Sequence, residues 1–234
     1  MTIQKLPSVT HESLKQMFTS QDFLRGIKRA TNTGIKRNTE SQFSIWREAF
    51  SEDVKYFFPD RTTYDMPFST SFELEPEQYE QIDNQKLIPV IQYHCHPGPY
   101  VSPSEQDLVF HFDIRDQYNL VVGDGPLPQS IENYHLDCIG AIRESGKFHD
   151  LLVLQSRLRT AGPMEGEFAY QQIVDQLGRR KDDNALLAKA LDNMSNWNAH
   201  LLTYEKKGNS YGICEDQLQG LEKFAYTPAM NSNS

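Results

Sequence analysis

The segment "QKLIPVIQYHCHPGPYVSPSEQD", residues 85–107, constrains the fold more than any other part of the chain. Leu87, Ile88, Val90 and Ile91 form an apolar run of strand length that ends at two histidines one residue apart. Three prolines and a glycine follow, then Ser104 and, three positions on, Asp107. A short apolar run bounded by turn residues reads as a buried strand. The prolines limit the return path of the loop, and Ser-x-x-Asp is the pattern of a helix start. The segment is therefore expected to form a strand, a constrained loop and a helix. Residues i and i+2 of a strand share a face, so His94 and His96 aim at one point while Cys95 turns away.

Two chemistries fit that arrangement. Two neutral imidazoles and one carboxylate make a tetrahedral zinc site with a fourth position open to water, and Asp107, in the first turn of the helix, can supply the carboxylate. The alternative is structural: Ser104 and Asp107 satisfy backbone donors as a capping box, and the His-x-His pair belongs to the strand.

The surrounding pattern is an α/β mixture around one central sheet. "SQDFLRGIKRAT" (20–31) reads as a helix capped by Ser20 or Asp22 and stopped at Gly34. "SQFSIWREAF" (41–50) and "DVKYFFP" (53–59) read as neighbouring strands, and "PEQYEQIDNQ" (76–85) as a helix. The helix opening at Ser104 is expected to run through residue 117, a buried strand to cover 119–126, and "LDCIGAIRESGKFHDLLVLQSR" (136–157) to form a hairpin turning at "ESGK". Residues 1–19 are polar and read as a loose arm. After "TAGPMEGE" (160–167), taken as a linker, the pattern is helical, with Leu186, Leu187, Ala190, Leu191, Met194 and Trp197 on one face. That stripe is expected to pack on its own domain, with a partner contact as the alternative.

Composition bounds the function classes. With 38% hydrophobic and 24% charged residues, 234 residues suffice for one domain with appendages. The 32 acidic and 23 basic residues give a net charge of -9, which disfavours generic binding to nucleic acid or an anionic membrane. The basic stretches at 27–29 and 35–37 are small. No signal-peptide core or membrane-spanning run is visible, so a cytoplasmic location is expected. The three cysteines, Cys95, Cys138 and Cys214, lack a CxxC pair and read as reduced, packed thiols.

The spacing of His94, His96, Ser104 and Asp107 resembles the signature of the JAMM (MPN-domain) metalloproteases, H-x-H-x7-S-x2-D. Pro97 and Pro103 match the family's usual HSHP and PS pairs; Cys95 departs from its Ser or Thr. The resemblance covers residues 20–158 and implies an MPN/JAMM-like mixed central β-sheet flanked by helices. With the composition changes it divides the chain into an N-terminal arm (1–19), a metalloprotease domain (20–160) and a C-terminal helical extension (161–234). It implies one zinc ion per chain on His94, His96 and Asp107, with Ser104 donating to the oxyanion.

The family's catalytic glutamate heads the strand after the first helix, where Glu40 stands; Glu48, Glu73, Glu75 and Glu77 are its rivals. The implied activity is hydrolysis of peptide or isopeptide bonds of a protein substrate, with a ubiquitin-like modifier or its conjugate as the partner. Two alternatives remain: a RadC-like DNA-processing protein, whose HNHPSG pattern "HCHPGPYVSPSEQD" does not reproduce, and a non-catalytic interaction module. His111 is read as a helix residue, and His135, His149 and His200 as lacking partners at ligand spacing.

Overall fold

The computed structural model describes residues 8–48, 56–57, 65–66, 69–70, 84, 87–109, 134–157 and 163–227. The helix expected over 76–85 lies outside them except for Asn84, as do the strand at 119–126 and the helix of 102–117 beyond residue 109.

The chain is α/β. Its seven-stranded sheet runs β2-β1-β5-β6-β7-β8-β9, where β1 is Ser41–Glu48, β2 Tyr56–Phe57, β5 Leu87–Cys95, β6 Leu136–Arg143, β7 Phe148–Ser156, β8 Trp197–Lys207 and β9 Ser210–Ile213. A separate ribbon pairs β3, Asp65–Met66, with β4, Ser69–Thr70. Within the large sheet β5 and β6 are parallel and the other described pairs antiparallel, so the sheet is mixed. The expected hairpin is β6–β7, closed by a 3-10 turn at Glu144–Gly146.

Alternation along the strands divides the core into two layers. Phe43, Ile45, Ile91, Tyr93 and Val153 face one side, beneath helices α1 (His11–Thr19) and α2 (Gln21–Arg37). Ile139, Ala141, Leu152 and Leu154 face the other. There they meet the described start of α3, residues 105–109, together with α4 (Pro163–Leu177) and α5 (Asn184–Asp192). A short C-terminal helix, α6 (Glu215–Leu218), and the 3-10 segment after it return to the first layer through Leu218, Leu221 and Phe224.

Three expectations are corrected. Residues 8–19 are not a loose arm: Leu14, Met17 and Phe18 of α1 are buried, Val9 exchanges backbone hydrogen bonds with Tyr226, and the Phe18 carbonyl accepts from the Tyr204 hydroxyl. Low mean hydropathy concealed a narrow apolar stripe at i, i+3 and i+4. Helix α2 continues past Gly34 to Arg37 and ends where Asn38 takes the left-handed conformation, φ 52°, its N–H bonded to the Gly34 carbonyl.

The third correction concerns the helical extension expected over 161–234, whose described residues, 163–227, are not all helical. After α4 and α5 the chain forms β8 and β9, and β8 pairs with β7 from Ser156↔Trp197 to Phe148↔Glu205. Trp197 and Ala199 of β8 enter one core layer, Leu202 and Tyr204 the other. A strand buried on both faces loses clean alternation, which made its apolar residues look like a continued helical stripe. The boundary at residue 160 therefore does not divide the sheet, and α4 already begins at Pro163 within the supposed linker.

Candidate metal centre

Strand β5 ends at Cys95, and the His96 N–H then bonds to the Gly140 carbonyl of β6 at 2.8 Å, which extends the sheet's support to the second histidine. Tyr93 and Cys95 point into the α1/α2 layer; burial pushes the Cys95 thiol up to about 11, so it remains protonated. His94 and His96 point to the opposite side, with Nε2 atoms 3.2 Å apart. The loop then bends so that the Tyr100 carbonyl lies 3.2 Å from His96 Nδ1. Donation from Nδ1–H to that carbonyl leaves the Nε2 lone pair directed into the site.

Asp107 closes the group. Its carboxylate lies 3.5 Å from His94 Nε2 through Oδ1 and 3.7 Å from His96 Nε2 through Oδ2. Oδ2 also accepts the Ser104 N–H at 2.7 Å, while the Asp107 N–H donates to Ser104 Oγ at 3.1 Å. The reciprocal cap exists, and Asp107 still presents oxygen to both imidazoles. The structural and metal-binding readings are thus compatible.

Burial alone would raise the Asp107 pKa, but the charges of His94 and His96, the His96 hydrogen bond and the Ser104 N–H hold it well below the usual carboxylate range. For His96 burial pulls the pKa down, and the Asp107 hydrogen bond and charge, with Glu40, overcome it and raise it. The ionised carboxylate is ready to accept a cation, whereas a proton on His96 competes with a metal for Nε2.

The donor set fits a metal ion. One nitrogen or oxygen from each of the three residues lies within 4.8 Å of the others. Ligand atoms ~2.0–2.1 Å from a tetrahedral ion are ~3.3–3.4 Å apart; the two Nε2 atoms, 3.2 Å apart, approach that value, and Asp107 offers a different oxygen to each, at 3.5 and 3.7 Å.

Glu40 reaches the site through sheet register. β1 runs antiparallel to β5 with Gln42 opposite His94 and Ser41 opposite Cys95, which brings the residue before β1 beside His96. Its Oε1 lies 3.9 Å from His96 Nε2, and its side chain is 21% exposed, enough to meet a water. Glu48 pairs with Leu87 at the far end of β1; Glu73, Glu75 and Glu77 lie outside the described residues. Ser104 is exposed at the helix start, and its hydroxyl, while accepting from Asp107, keeps its own proton for donation.

Glu40, His94, Ser104 and Asp107 border a cleft of about 780 Å³ whose wall also includes Glu167 of α4. Gln42, Gln92 and Asp137 line it, and among the described residues the carboxylates of Glu40, Glu105, Asp107, Asp137 and Glu167 border it without a lysine or arginine. The described part of this surface is acidic, which disfavours phosphate-rich ligands there.

Among the described residues His135, His149 and His200 belong to no group of three metal-ligating side chains, and each has a hydrogen-bond partner. His135 Nε2 lies 3.0 Å from Asp137 Oδ1, beside this cleft. His149 Nε2 meets the Tyr93 hydroxyl at 3.1 Å, and His200 Nε2 donates to the Gln217 carbonyl at 2.7 Å. Cys138 packs in the core, but Cys214 is exposed, contrary to the expected burial. His111 lies outside the described residues. Sequence reading missed the Tyr100 carbonyl, which acts through backbone and leaves no residue-type signal, and Asn184, which is brought to the loop from a distant helix. The described helices include none long and apolar enough to cross a membrane. No protein-family model matches the chain, and no curated protein matches it.

Proposed function

We propose that the protein is a zinc-dependent hydrolase of the JAMM type, with an MPN/JAMM-like domain, that cleaves peptide or isopeptide bonds of a ubiquitin-like modifier or its conjugates. The observation carrying this reading is the convergence of His94, His96 and Asp107 with the Glu40 carboxylate 3.9 Å from His96, beside a cleft whose wall includes Glu40, His94, Ser104 and Asp107. The order of helix, glutamate, strand, His-x-His strand and Ser-x-x-Asp helix supports the same assignment.

Zinc held by the three ligands would supply a Lewis acid that polarises the scissile carbonyl and brings the pKa of water toward ~7. Glu40 takes the proton of the attacking water and delivers it to the leaving nitrogen, so the amine departs neutral. Ser104 donates its hydroxyl proton in a hydrogen bond to the carbonyl oxygen as negative charge grows there. Tyr100 holds His96 in the tautomer that keeps Nε2 available. Gln42 and Gln92 give the cleft floor amide donors and acceptors suited to an extended peptide.

The test is incubation of zinc-loaded protein with a panel of ubiquitin-like fusions and isopeptide-linked chains, with and without chelator. Chelator-sensitive cleavage supports the assignment. Failure of protein with measured stoichiometric zinc to cleave any amide in the panel overturns it.

A further inference from the structure

The proline-rich loop is clamped by a residue far along the chain. Asn184, buried at the start of α5, accepts the Val101 N–H through Oδ1 at 3.1 Å. Its Nδ2 donates to the Pro99 carbonyl at 3.2 Å and to Asp150 Oδ2 at 2.7 Å. Both amide protons and the oxygen are therefore engaged, which fixes the side chain's orientation.

Asp150 is itself buried and receives Arg143 Nη2 at 3.0 Å and the Thr203 hydroxyl at 2.9 Å, so the anchor belongs to the sheet. Asn184 grips the residues on either side of Tyr100, whose carbonyl meets His96 Nδ1. Asp183, and not Asn184, caps α5 by accepting the Leu186 N–H. The Asn184 amide is thus unnecessary for starting its own helix.

We propose that Asn184 is a positioning residue for the metal centre: it holds the Tyr100 peptide in place, and through that carbonyl it holds the His96 imidazole. This rests on the metal-binding part of the function proposed above. It also gives α5, which lies outside the JAMM resemblance, a role in the site. A second contact from the same layer supports that role. A Cβ added to Gly166 of α4 would lie 2.5 Å from the Leu108 carbonyl carbon and oxygen, so α4 rests directly on the backbone beside Asp107.

Co²⁺ and Zn²⁺ affinities of the full-length protein test the proposal, with the Co²⁺ ligand-field spectrum reporting coordination. Groups that hydrogen-bond a metal-bound imidazole typically affect metal affinity by about 10–100-fold, and Asn184→Ala, acting through the Tyr100 carbonyl, is expected to lose about 10-fold and alter the Co²⁺ spectrum. Leu191→Ala, a cavity substitution in the same helix, controls for lost stability. It is expected to lower the melting temperature yet keep wild-type metal affinity while folded.

Equal affinity losses in folded Asn184→Ala and Leu191→Ala overturn the proposal, as does unchanged affinity in Asn184→Ala. A wild-type protein that binds neither metal overturns both this proposal and the hydrolase reading. Wild-type binding with an unaffected Asn184→Ala variant overturns this proposal alone. If Asn184→Ala does not fold, hydrogen exchange of the wild-type Val101 amide decides. Linkage requires metal loading to slow its exchange, and an unchanged rate overturns the clamp.

Discussion

His149 offers a quantitative test of the core behind the metal-bearing strand. Its side chain is enclosed, with Nε2 at the Tyr93 hydroxyl, Nδ1 3.4 Å from Thr31 Oγ1, and the rings of Tyr204 and Tyr211 nearby. Burial lowers its pKa from 6.5 to about 4, with Asp150 opposing the change only in part. The unfolded chain therefore takes the proton first on acidification. The stability contributed by neutral His149 is complete above about pH 6.5 and declines as pH falls toward 4.

At ~1.36 kcal/mol per pKa unit, the full effect is about 3 kcal/mol, of which about 2 kcal/mol is lost by pH 5. Urea unfolding of wild type and His149→Gln at pH 7 and pH 5 measures it. Glutamine keeps hydrogen-bonding capacity but does not titrate. The wild-type loss is expected to exceed the variant's by about 2 kcal/mol. The raised pKa of His96 acts in the opposite direction but is common to both proteins, so it cancels. Identical losses in the two proteins would refute the reasoning.

Other substitutions separate binding, catalysis and packing. Glu40→Gln is expected to retain stoichiometric metal and lose at least ~10²-fold in amide hydrolysis, whereas His94→Ala loses both; a fully active Glu40→Gln enzyme rules out Glu40 as the base. Zinc at 100 times its dissociation constant should stabilise the fold by about 2.7 kcal/mol, visible as a thermal shift reversed by chelator, and no shift would count against a native site. Gly166→Ala should cost roughly 1–3 kcal/mol in urea unfolding, because α4 must move away from the Leu108 backbone; wild-type stability would show that the packing is looser than described.

The local part of the site was readable because its residues are close in sequence and obey simple periodicities. The i, i+2 rule set His94 and His96 on one face, and the Ser-x-x-Asp pattern put Asp107 at a helix start. The order of elements in the JAMM resemblance points to Glu40 at a strand head, whereas its approach to His96 depends on the antiparallel register of β1 on β5, which the sequence does not display. Asn184 could not be found in either way. Nothing in "DDNALLAKALD" distinguishes it from a residue of an ordinary helix start, and its partners at Pro99, Val101 and Asp150 become neighbours only after the sheet forms. The misassigned regions have different causes: α1 has a stripe too narrow to raise mean hydropathy, while β8 carries apolar residues on both faces, which masks its twofold period.

The double role of Asp107 also bears on how a metal would be acquired. One carboxylate oxygen is tied to the Ser104 backbone, so side-chain rotamer freedom is already surrendered when the helix forms. Capture of an ion then requires little further ordering of this ligand, and more of the interaction energy remains available as affinity. The helix cap thus makes the aspartate a preorganised half of the binding event, with the entropy loss assigned to folding instead of metal uptake.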